Sequence, residues 1–471
     1  MIKLLYKMQG YLVKERVTDS FFQYQIILCC VVWIYSSNPL YADAELPLLG
    51  ENASINLAKE IELGRGLYLK LKEHGYVIDD PLLSRYLSDI GQSLLASLDF
   101  RARDYHFYLV NDSSVNAFAT PGGYIGVNVG LIAMTSSEDE LASVLSHEIA
   151  HVELMHSMQM IDQAKDANLT SVIAMLAAIL VSGSNPDAAT AILYTGIAGS
   201  TQSMINFTRT NEYEADRVGV ELLKKSNYDP SAMVDFMMLL QSRESGGELS
   251  SIEYIRTHPV SSNRVAEIRA RLKRESAQQV YPANRFQQFK DYLFYQYLSH
   301  VEKRRYSQFY EALLLTKNGQ YAHAETLFRT LIKEDPDSIW YSYALAENLE
   351  FQKRREEARK IYQSLMLLYP DELAIGVRIV NILRLDNREV EALELALKLS
   401  RKHEKNPQVY KLLVGLYGAL GMPLLKDLSE ANFHWFSGHQ KQAEKLYKSL
   451  LIKGNLDAAN EEKIREKLNK I

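Results

Sequence analysis

The chain has 471 residues, enough for two or three domains, and its 47% hydrophobic composition can fill real cores. The balance of 53 basic against 58 acidic residues, net −5, argues against a nucleic-acid-binding protein. The only two cysteines, Cys29 and Cys30, lie in a segment that reads as a leader, so the mature chain has no cysteine nucleophile or cysteine-ligated metal.

Residues 1–44 are expected to be a signal peptide. Lys3, Lys7, Lys14 and Arg16 precede an apolar run from Ile26 to Tyr35, and Ala42-Asp43-Ala44 fits a small-x-small cleavage site. Retention as an anchor and a start at Met8 are the alternatives; the apolar run is short for a bilayer span. Ile55 to Leu98 reads as two amphipathic helices broken near Gly75 and Asp79-Asp80-Pro81. Tyr105 to Val110 is a strand, and Tyr124 to Val129 is another, entered through the Pro121-Gly122-Gly123 turn. Tyr124, Ile125, Gly126, Val127 and Asn128 are expected on an edge strand that could hold an extended polypeptide by backbone hydrogen bonds. A purely structural strand is the alternative. His106 alternates with apolar neighbours and reads as a core or surface histidine.

The most informative stretch is Leu141 to His151, LASVLSHEIAH. Thr135 to Glu140 supplies N-cap hydroxyls and first-turn carboxylates, which predicts a helix from near Ser137 with Leu141, Leu145, Val152 and Met155 on its apolar side. His147 and His151, four residues apart, project from one face and can share one Zn²⁺, while Glu148 can reach a water beside it as general base. Two histidines do not complete a catalytic zinc site. The third ligand is expected from Asn211-Glu212-Tyr213-Glu214-Ala215-Asp216-Arg217, where Glu212 ligates and Asp216 accepts a hydrogen bond from a ligating imidazole. A third histidine on HExxHxxGxxH is excluded, because Leu154 and Ser157 stand at its glycine and last positions. His156 is then out of register and structural, and Glu214 points to solvent. The Ala- and Gly-rich stretch Thr170 to Thr208 reads as closely packed helices, or alternatively as a hydrophobic lip facing substrate or membrane.

Asp229-Pro230 restarts a helix through Leu240, followed by a polar loop from Ser242 to Ser251. His258 then precedes a helix opening near Ser261. It is expected to act as oxyanion donor or as a fourth metal ligand that makes the site latent, and Arg264 to bind a carboxylate or the oxyanion. Residues 278–305 form a linker and a connecting helix rich in aromatics, read as packing. From residue 306 to 471 the period becomes 34. Gly319, Ala324, Phe328 and Pro336 return as Lys353, Ala358, Tyr362 and Pro370; Ala392 follows, and Gly438, Ala443 and Tyr447 repeat the internal spacing. This is the tetratricopeptide repeat, an all-helical array that binds other proteins.

HEIAH followed by EYEAD resembles the zinc metallopeptidases that include HtpX and the CaaX prenyl proteases. Asn116 to Val127, NAFATPGGYIGV, and Thr257-His258-Pro259 with Asn263-Arg264-Val265 match further motifs of that family. With a leader in front and repeats behind, the chain resembles the family's periplasmic, β-barrel assembly-enhancing branch. The resemblance implies an α+β, mostly helical fold: a zincin-like metalloprotease domain with a small sheet over residues 45–277, then the repeats. It further implies a periplasmic endopeptidase acting on misassembled outer-membrane proteins, including the lipopolysaccharide-assembly barrel, whose repeats dock on the β-barrel assembly machinery. Peripheral membrane contact is compatible with this. A repeat-based chaperone or adaptor with rare cleavage is the competing expectation.

Overall fold

The computed structural model describes residues 57–98, 103–163, 201–245, 253–272, 283–298, 307–454 and 456–469. The leader, most of the Thr170 to Thr208 stretch, the Ser245-Gly246-Gly247 loop beyond Ser245 and the linker before residue 283 lie outside these residues.

Helix α1 (Leu57–Glu73) ends before Gly75, whose φ of 77° turns the chain. Helix α2 (Pro81–Leu95) starts with Pro81 in its first turn, and the Asp80 carboxylate accepts from the Leu83 amide at 3.0 Å. Three strands follow: β1 (His106–Val110), β2 (Ala117–Thr120) and β3 (Tyr124–Asn128), in the spatial order β1-β3-β2. β3 runs parallel to β1, with Tyr124 beside His106, and antiparallel to β2, with Tyr124 beside Thr120. This corrects the expectation for Tyr124 to Asn128. Their strand is central and hydrogen-bonded on both sides, so it cannot accept a further strand. The outer strands are β1, whose other side is bridged by Val77 at Val110, and β2, which the motif NAFAT hid by running into the turn that leads to β3.

A short α3 (Val129–Met134) leads to α4 (Glu138–Glu153), capped at Ser137 as expected: Ser137 Oγ accepts from the Glu140 amide, while the Glu140 carboxylate accepts from the Ser136 amide. Helix α4 is buried from Glu140 through Val152, so it is a central helix rather than a one-sided amphipathic one. It stops at Glu153, and Met155, expected on its apolar side, lies beyond its end with φ 56°. Helix α5 (His156–Gln163) then starts in a new direction.

Helix α6 (Thr201–Lys225) packs along α4. At Gly219 a Cβ would come within 3.3 Å of the His147 amide, so the missing side chain lets the two backbones approach at the level of the histidines. Helix α7 (Ser231–Ser245) runs beyond Leu240, and α8 (Glu253–Thr257) and α9 (Ser262–Leu272) bracket His258. Among the described residues, no helix is long and apolar enough to cross a membrane.

Helix α10 (Ala283–Tyr297) carries Phe289 and Tyr292, both buried: Phe289 stacks on Tyr86 of α2 at 4.3 Å and meets Trp340 of the repeats at 6.0 Å. Its Lys290 donates to the carbonyls of Ala133 and Thr135 at the end of α3. Five helix pairs follow. They are α11 (Gln308–Lys317) with α12 (Tyr321–Glu334), α13 (Ile339–Phe351) with α14 (Arg355–Leu368), and α15 (Leu373–Leu385) with α16 (Glu389–Lys402). Then come α17 (Pro407–Ala419) with α18 (Pro423–Phe436), and α19 (Gln440–Lys453) with α20 (Ala458–Leu468). The turn inside each of the first four pairs carries one left-handed residue, at Gly319, Lys353, Asn387 and Gly421. The unit at Asn387 is therefore regular in backbone although its sequence keeps only Ala392 of the repeat's marked positions. Gly438, half a period out of step, makes the same turn between α18 and α19. The array then closes on α1, where Arg65 lies 4.9 Å from the Trp435 ring and Gly438 sits against the Leu69 carbonyl.

Candidate metal centre

The chemistry gathers where α4, α6 and the His258 turn meet. His147 and His151 present Nε2 atoms 3.0 Å apart. Glu212 Oε2 lies 3.3 Å from His147 Nε2, and its Oε1 lies 3.3 Å from His151 Nε2. His258 Nδ1 is 3.0 Å from Glu212 Oε1 and 3.3 Å from His147 Nε2. The four residues are buried, and one donor atom from each falls within 4.8 Å of all the others. Atoms with lone pairs repel at this range unless a cation sits among them. Separations of 3.0 to 3.3 Å also match the edge of a tetrahedron built on zinc–ligand bonds of about 2.0 Å. The donor set, three imidazoles and a carboxylate with no thiol, suits a divalent ion such as zinc.

Burial alone would strip the charges from this pocket, and its polar neighbours decide where they stay. Burial disfavours a charge on His147, but Glu212 and Asp216 outweigh it and lift the imidazole to about 10. Burial dominates at His151 and pushes it to about 3. A proton on His147 thus does for Glu212 what a metal cation would do better. Burial opposes the Glu212 charge too, yet His258, Arg264 and His147 hold the carboxyl well below its usual range.

Glu148, next to His147, has both carboxylate oxygens buried without a hydrogen-bond partner among the described residues. Its Oε1 lies 3.5 Å from His258 Nε2, and the Ala119 amide of β2 faces it. Burial raises its pKa above the ordinary carboxylate value. A carboxylate left short of partners in a dry pocket is suited to take up a proton.

Asp216 Oδ1 lies 3.1 Å from His147 Nδ1, the ring atom that faces away from the cluster. Arg264 grips Asp216 with Nε and Nη2, each bond 2.7 Å, and its Nη1 reaches Glu212 Oε2 and the Pro259 carbonyl at 2.8 Å each. Arg264 thus meets carboxylates at the site, one of its two expected roles, and they are the protein's own Asp216 and Glu212. Three of its nitrogens are spent on holding a ligand, that ligand's neighbour and the His258 turn. Tyr254, which the sequence reading passed over, stacks on His258 at 4.6 Å, and its amide donates to the Val115 carbonyl just before β2. Its place one helical turn before His258 was the available signal. Tyr124 to Asn128 stay in the sheet, one strand removed from Glu148, whereas β2 lies beside it.

Residues 81–272 match peptidase family M48, and residues 315–376 match the tetratricopeptide repeat. The chain is similar to the beta-barrel assembly-enhancing protease of Escherichia coli strain K12, 32% identical over 326 residues that cover 64% of this chain and 66% of the relative. It is similar to the protein of the same name in Yersinia pestis, 28% identical over 84% of this chain and 85% of the relative. A putative beta-barrel assembly-enhancing protease of Vibrio cholerae is 30% identical, covering 70% of this chain and 72% of its own length.

Proposed function

Because the chain belongs to peptidase family M48 and carries tetratricopeptide repeats, we propose that it is an exported, periplasmic zinc endopeptidase of outer-membrane protein assembly. The observation that carries the reading is the convergence of His147, His151, Glu212 and His258 with the unpartnered Glu148 carboxylate beside them. His147, His151 and Glu212 are the metal ligands. A zinc ion there supplies an acidified water and a polarised peptide carbonyl.

The chain's own residues do the rest. Glu148 takes a proton from the attacking water and returns it to the departing amine. Asp216, 3.1 Å from His147 Nδ1, is placed to accept from it and fix that ring, and Arg264 holds Asp216 and Glu212 in place. The substrate lies as an added strand along the outer edge of β2, Ala117 to Thr120, taking the place of the Ser157 hydroxyl at the Ala119 carbonyl, which brings its backbone past Ala119 to Glu148. The substrates are misassembled outer-membrane barrel proteins, and the repeats dock the enzyme on the barrel-assembly machinery. The names of the relatives and the repeat array support this assignment.

A second reading is favoured by one observation. His258 Nδ1 already stands among the donors, so the resting protein is latent, acting as a chaperone or adaptor until His258 moves away. Zinc content and degradation of an unfolded test protein separate the two. Glu148→Gln is expected to keep zinc and lose hydrolysis by about 10²- to 10⁴-fold, and His147→Ala to lose both. Intact proteolysis by Glu148→Gln would remove Glu148 as the base. Wild type that holds zinc but cleaves only after His258→Ala would establish latency.

A further inference from the structure

His156 and Glu214 were expected to be a structural residue and a solvated one, yet they stand in line behind His151. Because α4 stops and Met155 turns the chain, His156 comes back under the site, and its Nδ1 lies 2.8 Å from His151 Nδ1. Its Nε2 lies 3.5 Å from Glu214 Oε2 and has no other partner among the described residues, so a small turn of the Glu214 side chain closes the hydrogen bond. His156 is buried, whereas the Glu214 side chain is half-exposed.

Two ring nitrogens at that separation share one proton, and its location has consequences at the far side of each ring. If His151 Nδ1 carries it, His151 Nε2 is bare and presents its lone pair to His147 and Glu212. If His156 Nδ1 carries it, neutral His151 must hold its proton on Nε2 and cannot ligate a metal. Glu214 breaks the tie. A carboxylate beside His156 Nε2 favours a hydrogen there, and a neutral ring with hydrogen on Nε2 has a bare Nδ1 that accepts from His151.

We propose that Glu214 and His156 form a two-step hydrogen-bond relay that fixes His151 in its metal-binding tautomer. His147 receives the same service in one step from Asp216. The EYEAD helix then supplies a ligand at Glu212 and an orienting carboxylate for each histidine ligand. Glu214 and His156 are positioning residues. The inference rests on His151 being a metal ligand, as proposed above.

The test is zinc affinity of the full-length, metal-stripped protein, measured by competition with a chromophoric chelator at neutral pH, with unfolding of the stripped protein as a control. Glu214→Ala changes a half-exposed side chain and is expected to unfold as wild type does, yet to bind zinc about 10- to 100-fold more weakly. His156→Phe, which offers no acceptor, is expected to fall at least as far. Glu214→Gln keeps an accepting oxygen and is expected to recover most of the affinity. Wild-type affinity in Glu214→Ala overturns the relay, whatever His156→Phe does. Equal losses in Glu214→Ala and Glu214→Gln overturn it as well, since charge alone would then be responsible. If His151→Ala binds zinc as tightly as wild type, the metal site itself is wrong and the relay falls with it, a different failure from tight binding by Glu214→Ala alone.

Discussion

Arg264 is buried, and it ties Asp216, Glu212 and the Pro259 carbonyl together without reaching toward a substrate. Removing its guanidinium strips Asp216 of its bidentate partner and Glu212 of one of its two anchors in a dry pocket. Arg264→Leu is therefore expected to cost about 3–5 kcal/mol of stability, the usual loss when one partner of a buried pair is deleted. It should also weaken metal binding, because Glu212 loses its second anchor. Denaturant unfolding and zinc content of the purified variant check both; full zinc occupancy at wild-type stability would refute the role. At this scale the sequence was readable wherever spacing along one helix decides the outcome. His147 with His151, and Glu212 with Asp216, share faces because residues four apart always do. The contact of His156 with His151 was not legible, because it depends on where α4 stops, and Met155 in a left-handed conformation carries no compositional mark. Arg264 was expected to meet a carboxylate or an oxyanion, and which carboxylates it meets, Asp216 and Glu212, is decided only in three dimensions.

Between elements, the decisive fact is which strand has a free side. Read singly, neither Tyr124 to Asn128 nor Ala117 to Thr120 carries a mark of which strand is the edge. Pairing order is a tertiary property, and of these two strands only the one from Tyr124 was placed by its alternation and turn residues. The repeat array was legible for the opposite reason: its contacts are local and recur every 34 residues. The cap of α15 adds a titration. Glu372 accepts from the Ala374 amide at 3.1 Å, is buried at the junction with α2, and has Arg85 no nearer than 4.0 Å. Burial raises its pKa from 4.5 to about 7. Folded protein thus keeps a proton that unfolded chain releases, so this contribution is complete below pH 4.5 and is lost as pH rises toward 7. Glu372→Gln, an uncharged acceptor at every pH, is expected to flatten that decline. Thermal unfolding at pH 5 and pH 7.5 measures it, and equal slopes for the two proteins would dismiss the assignment.

In the whole molecule the expected boundaries at 277 and 305 lie outside the described residues, and the hydrophobic core on either side of them is shared. One continuous cluster runs from α2 and the sheet through Phe289 and Trp340 into the repeats. At the other end, Gly438 holds a φ of 90° where a Cβ would meet the Leu69 carbonyl at 2.7 Å. Gly438→Ala is expected to prise α18 and α19 away from α1 and leave zinc binding unchanged. Faster amide exchange in both places would show it; unaltered exchange would mean that the contact carries no load. The array touches the catalytic body at Arg85 with Glu372, Asp79 with Gln408, and Arg65 with Trp435. A visitor seeking that side of the array competes with a tethered resident, present at an effective concentration on the order of millimolar. Weak guests are thereby refused, and a strong one gains entry only by evicting α1 and α2, which makes admission and release of the catalytic body a single event.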